Sequence, residues 1–185
     1  GNTAPSAGTV TVTSTTNADK DNNSGTAIAA DTLTCDWNYA DVDNDLEDGT
    51  TVAWTINSTA AGNGGTTLTS GFTRGDLVSC TVTPSDRYDT GSPSSGNITI
   101  DNTKPSVSGA EVTPTPVYAS SITSPLTCDY SFTDPDLRDS DASVVSWYKN
   151  GAFRANGLTY TGPYVGGNTI YCVVQSNDGN ANGNS

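Results

Sequence analysis

Cys35-Asp-Trp-Asn-Tyr-Ala-Asp-Val-Asp-Asn-Asp-Leu-Glu-Asp-Gly-Thr-Thr-Val-Ala-Trp54 occurs twice in this chain in related form. The second copy is Cys128-Asp-Tyr-Ser-Phe-Thr-Asp-Pro-Asp-Leu-Arg-Asp-Ser-Asp-Ala-Ser-Val-Val-Ser-Trp147, and the two align without a gap. A further cysteine follows each copy, Cys80 after the first and Cys172 after the second. Self-similarity at a fixed spacing is the signature of a repeat architecture. The chain is therefore predicted to be a tandem repeat in which a Cys…Trp…Cys frame surrounds an acidic loop.

Two related segments mark where the repeats begin: Asn-Thr-Ala-Pro-Ser at residues 2–6 and Asn-Thr-Lys-Pro-Ser at residues 102–106. A chain of 185 residues with one internal repeat predicts two domains, each large enough to bury a modest core. We expect these domains to occupy residues 1–101 and 102–185.

The second repeat ends earlier in the alignment than the first. Residues 172–185 align with residues 80–93, and nothing after them matches Asn97-Ile-Thr-Ile100. We therefore expect the final strand of the second domain to be missing from this chain. If the chain is a fragment, that strand lies just beyond Ser185; if it is the whole subunit, a sheet edge is left with unpaired backbone groups. A neighbouring copy of the chain could complete that sheet by strand addition, with the segment around Val10 and Val12 as the expected donor.

Apolar residues alternate with polar ones in the segments that flank the acidic loops. Residues 33–39 read Leu-Thr-Cys-Asp-Trp-Asn-Tyr, and residues 126–132 read Leu-Thr-Cys-Asp-Tyr-Ser-Phe. A period of two over seven residues is typical of a half-buried β-strand. The segments around the second cysteines alternate in the same way, and Asn150-Gly151 is a two-residue hairpin signal. We interpret residues 58–67 and 151–157 as glycine- and asparagine-rich loops, and the whole chain as all-β.

The charge balance excludes several classes of partner. The chain has 20 acidic and 7 basic residues, a net charge of −13. Such a surface repels nucleic acid and anionic membranes and attracts cations. No run of 18 apolar residues is present, so insertion of this segment into a membrane is not expected.

Four cysteines, two at matching positions of each repeat, predict the disulfides Cys35–Cys80 and Cys128–Cys172. Metal binding by these cysteines is the alternative, but the chain has no histidine and no Cys-x-x-Cys motif. Disulfides persist outside the cytosol, so the predicted location is extracellular or at the cell surface.

Several short motifs accompany this frame in both repeats: Asn-Thr-x-Pro-Ser, Leu-Thr-Cys-Asp-Trp/Tyr, the Asp-x-Asp loop and Ser-Asp/Asn-Asp. The second repeat adds Trp-Tyr-Lys-Asn-Gly at residues 147–151. With a Cys on the second strand, a Trp on the third and a Cys on the sixth, the chain resembles the tandem immunoglobulin-like repeats of large secreted or cell-surface proteins of bacteria and archaea. The resemblance implies two tandem immunoglobulin-like β-sandwiches, each with one inter-sheet disulfide. It also implies a role in stalks, adhesin shafts or extracellular filaments.

The acidic loops are candidate metal sites. In such a sandwich these loops lie at the same end as the chain's entry and the loop after the sixth strand, so their carboxylates should converge. Clustered carboxylates are the oxygen ligands that Ca²⁺ prefers, and Ca²⁺ is the expected cofactor. Carboxylates that only cap turns and keep the surface soluble are the alternative. The candidate ligands, together with Asp139, are Asp41, Asp43, Asp45, Asp86, Asp101, Asn102, Asp134, Asp136 and Asp178.

Sequons at Asn22, Asn57 and Asn97 are candidate glycosylation sites. Asparagine- and threonine-rich chains also generate such triplets by chance. The tripeptide Arg74-Gly75-Asp76 is interpreted as a turn, because the second repeat keeps only its glycine. The three tryptophans are in phase with apolar neighbours, which predicts burial in preference to a sugar-stacking platform.

A catalytic role is not expected. The chain has no histidine, no cysteine outside the predicted disulfides and no Gly-x-Ser-x-Gly motif. The predicted function is that of an extracellular structural repeat whose partners are neighbouring copies or repeats of itself. The alternative is a Ca²⁺-dependent adhesive or carbohydrate-binding module with surface glycans as partners.

Overall fold

The structure, a computed structural model, describes residues 1–14, 26–62, 64–114 and 125–185, and they form β-strands without a helix. The predicted all-β class is confirmed. The chain splits into two compact units, Gly1–Thr103 and Lys104–Ser185. The strands of unit 1 are β1 (Val10–Ser14), β2 (Thr26–Ile28), β3 (Leu33–Trp37), β4 (Thr51–Ile56), β5 (Thr59–Ala61), β6 (Thr67–Leu68), β7 (Leu77–Thr83) and β8 (Ser94–Asp101). The strands of unit 2 are β9 (Ser106–Thr113), β10 (Leu126–Thr133), β11 (Val144–Lys149), β12 (Ala152–Asn156), β13 (Thr159–Tyr160) and β14 (Ile170–Gln175).

Unit 1 contains two sheets that are joined by a disulfide. The smaller sheet has the order β1-β3-β6, and the larger has the order β2-β8-β7-β4-β5. Cys35 on β3 is bonded to Cys80 on β7, with the two Cα atoms 6.1 Å apart. Trp54 lies directly opposite Cys80 in the antiparallel pair of β4 and β7, and it is 2% exposed. The bridge and the indole therefore form one packed centre between the sheets.

Unit 2 repeats this arrangement with three strands in each sheet, β13-β10-β9 and β12-β11-β14. Cys128 on β10 is bonded to Cys172 on β14, again with the Cα atoms 6.1 Å apart. Trp147 lies opposite Cys172 and is fully buried. Both predicted disulfides are thus confirmed, and each connects two sheets.

The two units differ at one edge. In unit 1, β8 pairs with β7, and Ile98 and Ile100 of β8 are buried in the core. In the described part of unit 2, β14 is paired only with β11, and no strand takes the place of β8. Cys80 is fully buried beneath β8, whereas its counterpart Cys172 is half-buried.

The segments predicted as loops after β4 and β11 contain a strand each, so that interpretation is wrong. Asn150 and Gly151 have φ angles of 52° and 79°, as a two-residue hairpin turn with left-handed residues requires, and β12 follows. Asn57 and Ser58 make the same turn in unit 1, with φ angles of 48° and 69°. Asparagine adopts the left-handed conformation readily, but serine does so rarely. The pair Asn57-Ser58 therefore does not predict such a turn, whereas Asn150-Gly151 does.

The disulfides are compatible with an extracellular location. The described residues contain no helix of the length and apolarity needed to cross a membrane.

The two bridges should differ in their rate of reduction. A reductant must reach a sulfur atom, and Cys172 is half-buried whereas Cys80 is fully buried. Under native conditions, limited reduction should release Cys128 and Cys172 before Cys35 and Cys80. Pulsed alkylation with peptide mapping by mass spectrometry measures this order, and earlier release of the unit 1 pair would contradict the prediction.

Candidate metal centres

The acidic loop of unit 1 is wound around one carboxylate. Asp41 Oδ1 accepts the backbone N–H groups of Asp43 at 2.7 Å and Asp45 at 3.1 Å. This local bonding is the turn chemistry for which Asp is favoured, and it leads the chain from β3 towards β4. As a result, one carboxylate oxygen from each of the three aspartates lies within 4.8 Å of the others.

Unit 2 has a second group of three at the same place in its repeat. Asp134 Oδ1 accepts the N–H of Asp136 at 2.8 Å, and the N–H of Asp139 donates to the backbone carbonyl of Asp136 at 2.9 Å. One carboxylate oxygen each from Asp134, Asp136 and Asp139 lies within 4.8 Å of the other two. Asp136 is only 1% exposed, so this group is set deeper than the one in unit 1.

Asp41 and Asp134 occupy equivalent positions in the two repeats, and both present an unsatisfied oxygen. Their Oδ2 atoms are buried and have no hydrogen-bond partner among the residues that the structure describes. A buried carboxylate oxygen without a partner is costly, and native proteins satisfy nearly all such atoms. The same orphan oxygen in both groups is the chemical feature that a hard cation would complete.

Burial and neighbouring carboxylates raise the pKa of one member of the unit 2 group, Asp134. Burial raises the pKa of Asp134 above its ordinary value; the N–H of Asp136 opposes this, and the negative charges of Asp136, Asp178 and Asp139 add to it. In unit 1 the pKa of the Tyr39 hydroxyl is raised by desolvation and then by nearby carboxylates, Asp41 first. A bound cation would relieve this repulsion.

Asp86 and Asp178 belong to neither group of three, although both were predicted ligands. They are 2% and 4% exposed, and in each the Oδ1 atom accepts the backbone N–H groups two and three residues further on, at 2.6–2.8 Å. Burial would raise the pKa of Asp86, but the N–H of Asp89, the amide of Asn2 and the N–H of Tyr88 outweigh it and lower that pKa. These two aspartates hold the loops that follow β7 and β14.

Those loops meet the acidic loops, as the sequence predicts. In unit 1 the N–H of Asp48 donates to the carbonyl of Ser85 at 2.8 Å. In unit 2 the N–H of Ala142 donates to the carbonyl of Asn177 at 2.8 Å, and the amide of Asn180 contacts Asp139 Oδ2 at 3.4 Å. In each unit the carboxylates of these two loops therefore lie at the same end.

Asp101 and Asn102 lie at the end of unit 1, where the N–H of Asn102 donates to Asp101 Oδ1 at 2.8 Å. Their predicted partnership with Asp134 joins residues of two different units and stays a prediction.

The donor set of each group of three fits a hard cation. Ca²⁺ takes six to eight oxygen ligands, and three carboxylates supply part of that number, with carbonyl groups and water available for the rest. The orphan Oδ2 atoms of Asp41 and Asp134 are the ligands that the fold itself leaves unsatisfied. A divalent ion bound at either group would join the three aspartates of that acidic loop to one another.

Other predicted sites have varied surroundings. Asn22 lies outside the described residues. Asn57 uses both side-chain ends within the fold, donating to Asp76 Oδ1 at 2.7 Å and accepting from the N–H of Leu77 at 3.0 Å. Asn97 is exposed on β8.

Asp76 is 1% exposed and accepts the N–H of Thr73 at 2.8 Å, so the Arg74-Gly75-Asp76 tripeptide turns its carboxylate inward. Gly75 has a φ of 82°, as the predicted turn requires. Trp54 and Trp147 are buried as predicted, whereas Trp37 is half-buried and its Nε1–H donates to Glu47 at 2.8 Å.

An aromatic cluster on unit 2 was missed by sequence reasoning. Tyr148 of β11 stacks on Tyr171 of β14 with ring centroids 5.1 Å apart, and Phe153 of β12 meets Tyr148 edge-on at 6.0 Å. Phe153 is 54% exposed and Tyr171 is 39% exposed, so the cluster forms part of the outer face. The pairing of these two tyrosines could have been predicted, because a register that places Trp147 opposite Cys172 also places Tyr148 opposite Tyr171.

The chain matches no protein-family model, and a search of curated proteins finds no match to it.

Replacement of Asp134 by Asn tests the unit 2 site. In calcium-free protein the pKa of Asp134 is higher in the folded state than in the unfolded chain, so the ionised carboxylate destabilises the fold and stability rises as the pH falls through the folded pKa. Asp134→Asn should remove that pH dependence and leave the calcium-free melting temperature at pH 7 equal or higher. It should also abolish the part of the stabilisation by Ca²⁺ that the unit 2 site is expected to contribute, about 2.7 kcal/mol at 100 times the Kd of that site, and leave the contribution of the unit 1 site in place.

Thermal melts with and without Ca²⁺, at several pH values, measure both effects. Glu111→Gln removes one negative charge from an exposed position on β9 and serves as the control that keeps the calcium response. A calcium response of the same size in Asp134→Asn and in the parent chain would contradict the assignment.

Proposed function

We propose that the chain is an extracellular structural repeat module of a cell-surface stalk, adhesin shaft or filament, built from two immunoglobulin-like sandwiches. The observation that carries this proposal is that both units contain the same inter-sheet disulfide with the same tryptophan opposite its second cysteine. The conserved part of the repeat is thus a reinforced core. The outer faces of the sheets differ between the units, as at Thr55 and Ser79 of unit 1 against Tyr148 and Tyr171 of unit 2.

The position of each bridge suits a load-bearing role. Cys35 and Cys80 are separated by 45 residues, and Cys128 and Cys172 by 44. Tension applied at the ends of a unit cannot extend the segment inside its bridge, because the covalent bond carries the force. Each bridge also limits the freedom of the unfolded chain, which by loop entropy stabilises the fold by roughly 4 kcal/mol.

The surface chemistry is consistent with exposure to the outside of a cell. The net charge of −13 keeps copies of the chain soluble and separates them unless cations are present. Asn97 presents a sequon on an accessible strand, where a glycan would point away from the core. Divalent ions in the acidic loops would stiffen one end of each unit.

Single-molecule stretching tests the mechanical part of the proposal. In oxidised protein each unit should release only the residues outside its disulfide when it unfolds. Reduction should lengthen the release from unit 1 by roughly 160 Å, because about 3.6 Å becomes available for each of the 45 residues inside the bridge.

A Cys35→Ser/Cys80→Ser variant is the matched control, since only unit 1 should then release its full length under oxidising conditions. Immunogold labelling of native material tests the location. Label on stalks or fibres at the cell surface is the expected result, and label confined to the cytoplasm would contradict the proposed function.

A Ca²⁺-dependent adhesive or carbohydrate-binding module is the second candidate. The observation that favours it is the exposed cluster of Tyr148, Tyr171 and Phe153 on one face of unit 2. Aromatic rings of this kind offer flat apolar surface with a polar edge, on which a sugar ring can stack.

Glycan arrays with and without Ca²⁺ test this second candidate. Binding through the cluster should be lost in Tyr148→Ala/Tyr171→Ala and kept in Tyr88→Ala, which removes a 67% exposed tyrosine from unit 1. Arrays that stay blank under all conditions would exclude a glycan as the ligand.

A further inference from the structure

Unit 2 has a groove along the unpaired side of β14. One cavity of about 440 Å³ lies between residues 107–110 of β9 and residues 172–174 of β14. A second cavity of about 380 Å³ is lined by residues 164–170, which lead into β14. The first cavity lies beside β14, which among the described residues has a partner strand on one side only, and the second lies where the chain enters β14. We call them the β14 groove.

In unit 1 the corresponding space is filled by β8. Gly96 lies opposite Cys80, and a side chain on Gly96 would come within 2.5 Å of the Val10 carbonyl oxygen on β1. Ile98 lies opposite Val78 and is 6% exposed. The occupant of this space in unit 1 is therefore an extended strand with a glycine at its narrowest point and an isoleucine two residues later.

The strand registers show that the 440 Å³ cavity of unit 2 corresponds to the space that β8 fills in unit 1. Val12 pairs with Cys35 in unit 1, and Val112 pairs with Cys128 in unit 2, so Ala110 in the wall of the groove corresponds to Val10. In the same way Cys172 corresponds to Cys80, because each lies opposite its tryptophan. The 440 Å³ cavity is thus the counterpart of the seat of Gly96 in unit 1.

The second cavity corresponds to the far end of β8. Ile100 is 1% exposed; its N–H donates to the carbonyl of Asp76 at 2.9 Å, and its carbonyl accepts the N–H of Gly75 at 2.8 Å. The alignment places Gly167 and Asn168 at the positions of Gly75 and Asp76, and both line the 380 Å³ cavity. A backbone donor and an acceptor for an incoming strand are therefore present in unit 2.

We propose that the β14 groove binds an extended polypeptide strand, antiparallel to β14, whose inward face reads small-x-Ile-x-Ile as β8 does. This inference deepens the proposed structural role and rests on it, because strand capture is how such a unit would be joined to its neighbour. The occupant becomes the fourth strand of the β12-β11-β14 sheet, next to β14, and covers Cys172. The backbone of β14 provides the affinity, and the alternating pockets provide the selectivity.

The outward face of the occupant is also specified. In unit 1, β8 presents Ser95 beside Thr81, with their hydroxyl oxygens 2.8 Å apart. In unit 2 the residue at the position of Thr81 is Val173, 38% exposed, and its neighbour on the same face is Tyr171. Cross-strand pairs on one face stabilise a sheet when both members are β-branched or aromatic. The occupant of the β14 groove should therefore have such residues where β8 has Ser95 and Asn97.

The segment around Val10 and Val12, predicted from the sequence as the donor, is not suited to this role. Val10 and Val12 are 7% and 9% exposed and lie in β1, which pairs with β3 along its full length. Its removal would open the core of unit 1. The donor is a strand with the chemistry of β8 that is not already part of a folded core.

A peptide of residues 93–101, Pro-Ser-Ser-Gly-Asn-Ile-Thr-Ile-Asp, tests the groove when it is titrated into the full 185-residue chain. Saturable binding with one site per chain is expected, with slower hydrogen exchange in residues 170–175. A peptide with Ser95→Val and Asn97→Val should bind at least as tightly. A peptide with Ile98→Asp and Ile100→Asp should bind at least about 100-fold more weakly, because both apolar anchors are lost.

A covalent version removes the dependence on affinity. Residues 94–101 attached directly after Ser185 continue the alignment in register, so the added strand should seat in its own unit. This chain should melt at a higher temperature and release Cys172 more slowly to reductant than a matched chain with Asp in place of both isoleucines. If the parent chain self-associates and the peptide disperses it, the groove holds a strand of a second copy, which also supports the proposal.

Equal behaviour of the isoleucine and aspartate versions, in both formats, would overturn the proposal. That result would leave the surface labelling and stretching experiments untouched, so failure of strand capture is distinguishable from failure of the structural role.

Discussion

The structure depends on one contact made twice, the packing of a tryptophan against the disulfide that joins two sheets. Trp54 lies opposite Cys80 and Trp147 lies opposite Cys172. Each indole also donates its Nε1–H at 2.8 Å to a backbone carbonyl, that of Gly65 in unit 1 and Gly157 in unit 2. A buried indole needs this partner, because its N–H cannot be left without an acceptor. The contact therefore fixes the distance between the sheets and anchors the segment that follows the hairpin.

The acidic loops follow from this anchor. Because the cysteine and the tryptophan of each copy are held in the core, the residues between them must return within a fixed span. They do so by turns in which aspartate oxygens accept backbone N–H groups, at Asp41 and again at Asp134. This folding draws carboxylates of like charge together, which is unfavourable without a counter-ion. The backbone hydrogen bonds to aspartate thus stabilise the loops, whereas repulsion between the carboxylates destabilises them. A bound cation would remove that repulsion.

The sequence predicted what depends on pattern: the β class, the two disulfides, the burial of Trp54 and Trp147, and the convergence of the loops. It did not predict β5 or the environment of Trp37. The turn at Asn57 and Ser58 lacks a glycine signal. Trp37 lies at the end of β3, where its ring packs on the margin of the core and its indole N–H reaches Glu47. The site was predicted in outline only. That Asp86 and Asp178 cap turns, while Asp41 and Asp134 retain an orphan oxygen, depends on backbone geometry that residue spacing does not encode.

The outer face of unit 2 shows how freely such a repeat can diverge. Where unit 1 has Thr51, Thr55, Ser79 and Thr81, unit 2 has Val144, Tyr148, Tyr171 and Val173. None of these exchanges disturbs the inward positions, because neighbouring residues of a strand face opposite ways. Inward-facing positions thereby maintain the fold, while the outward-facing positions between them are free to change. A lineage that duplicates this unit can change the exterior of each copy while it keeps the disulfide and the tryptophan of the interior.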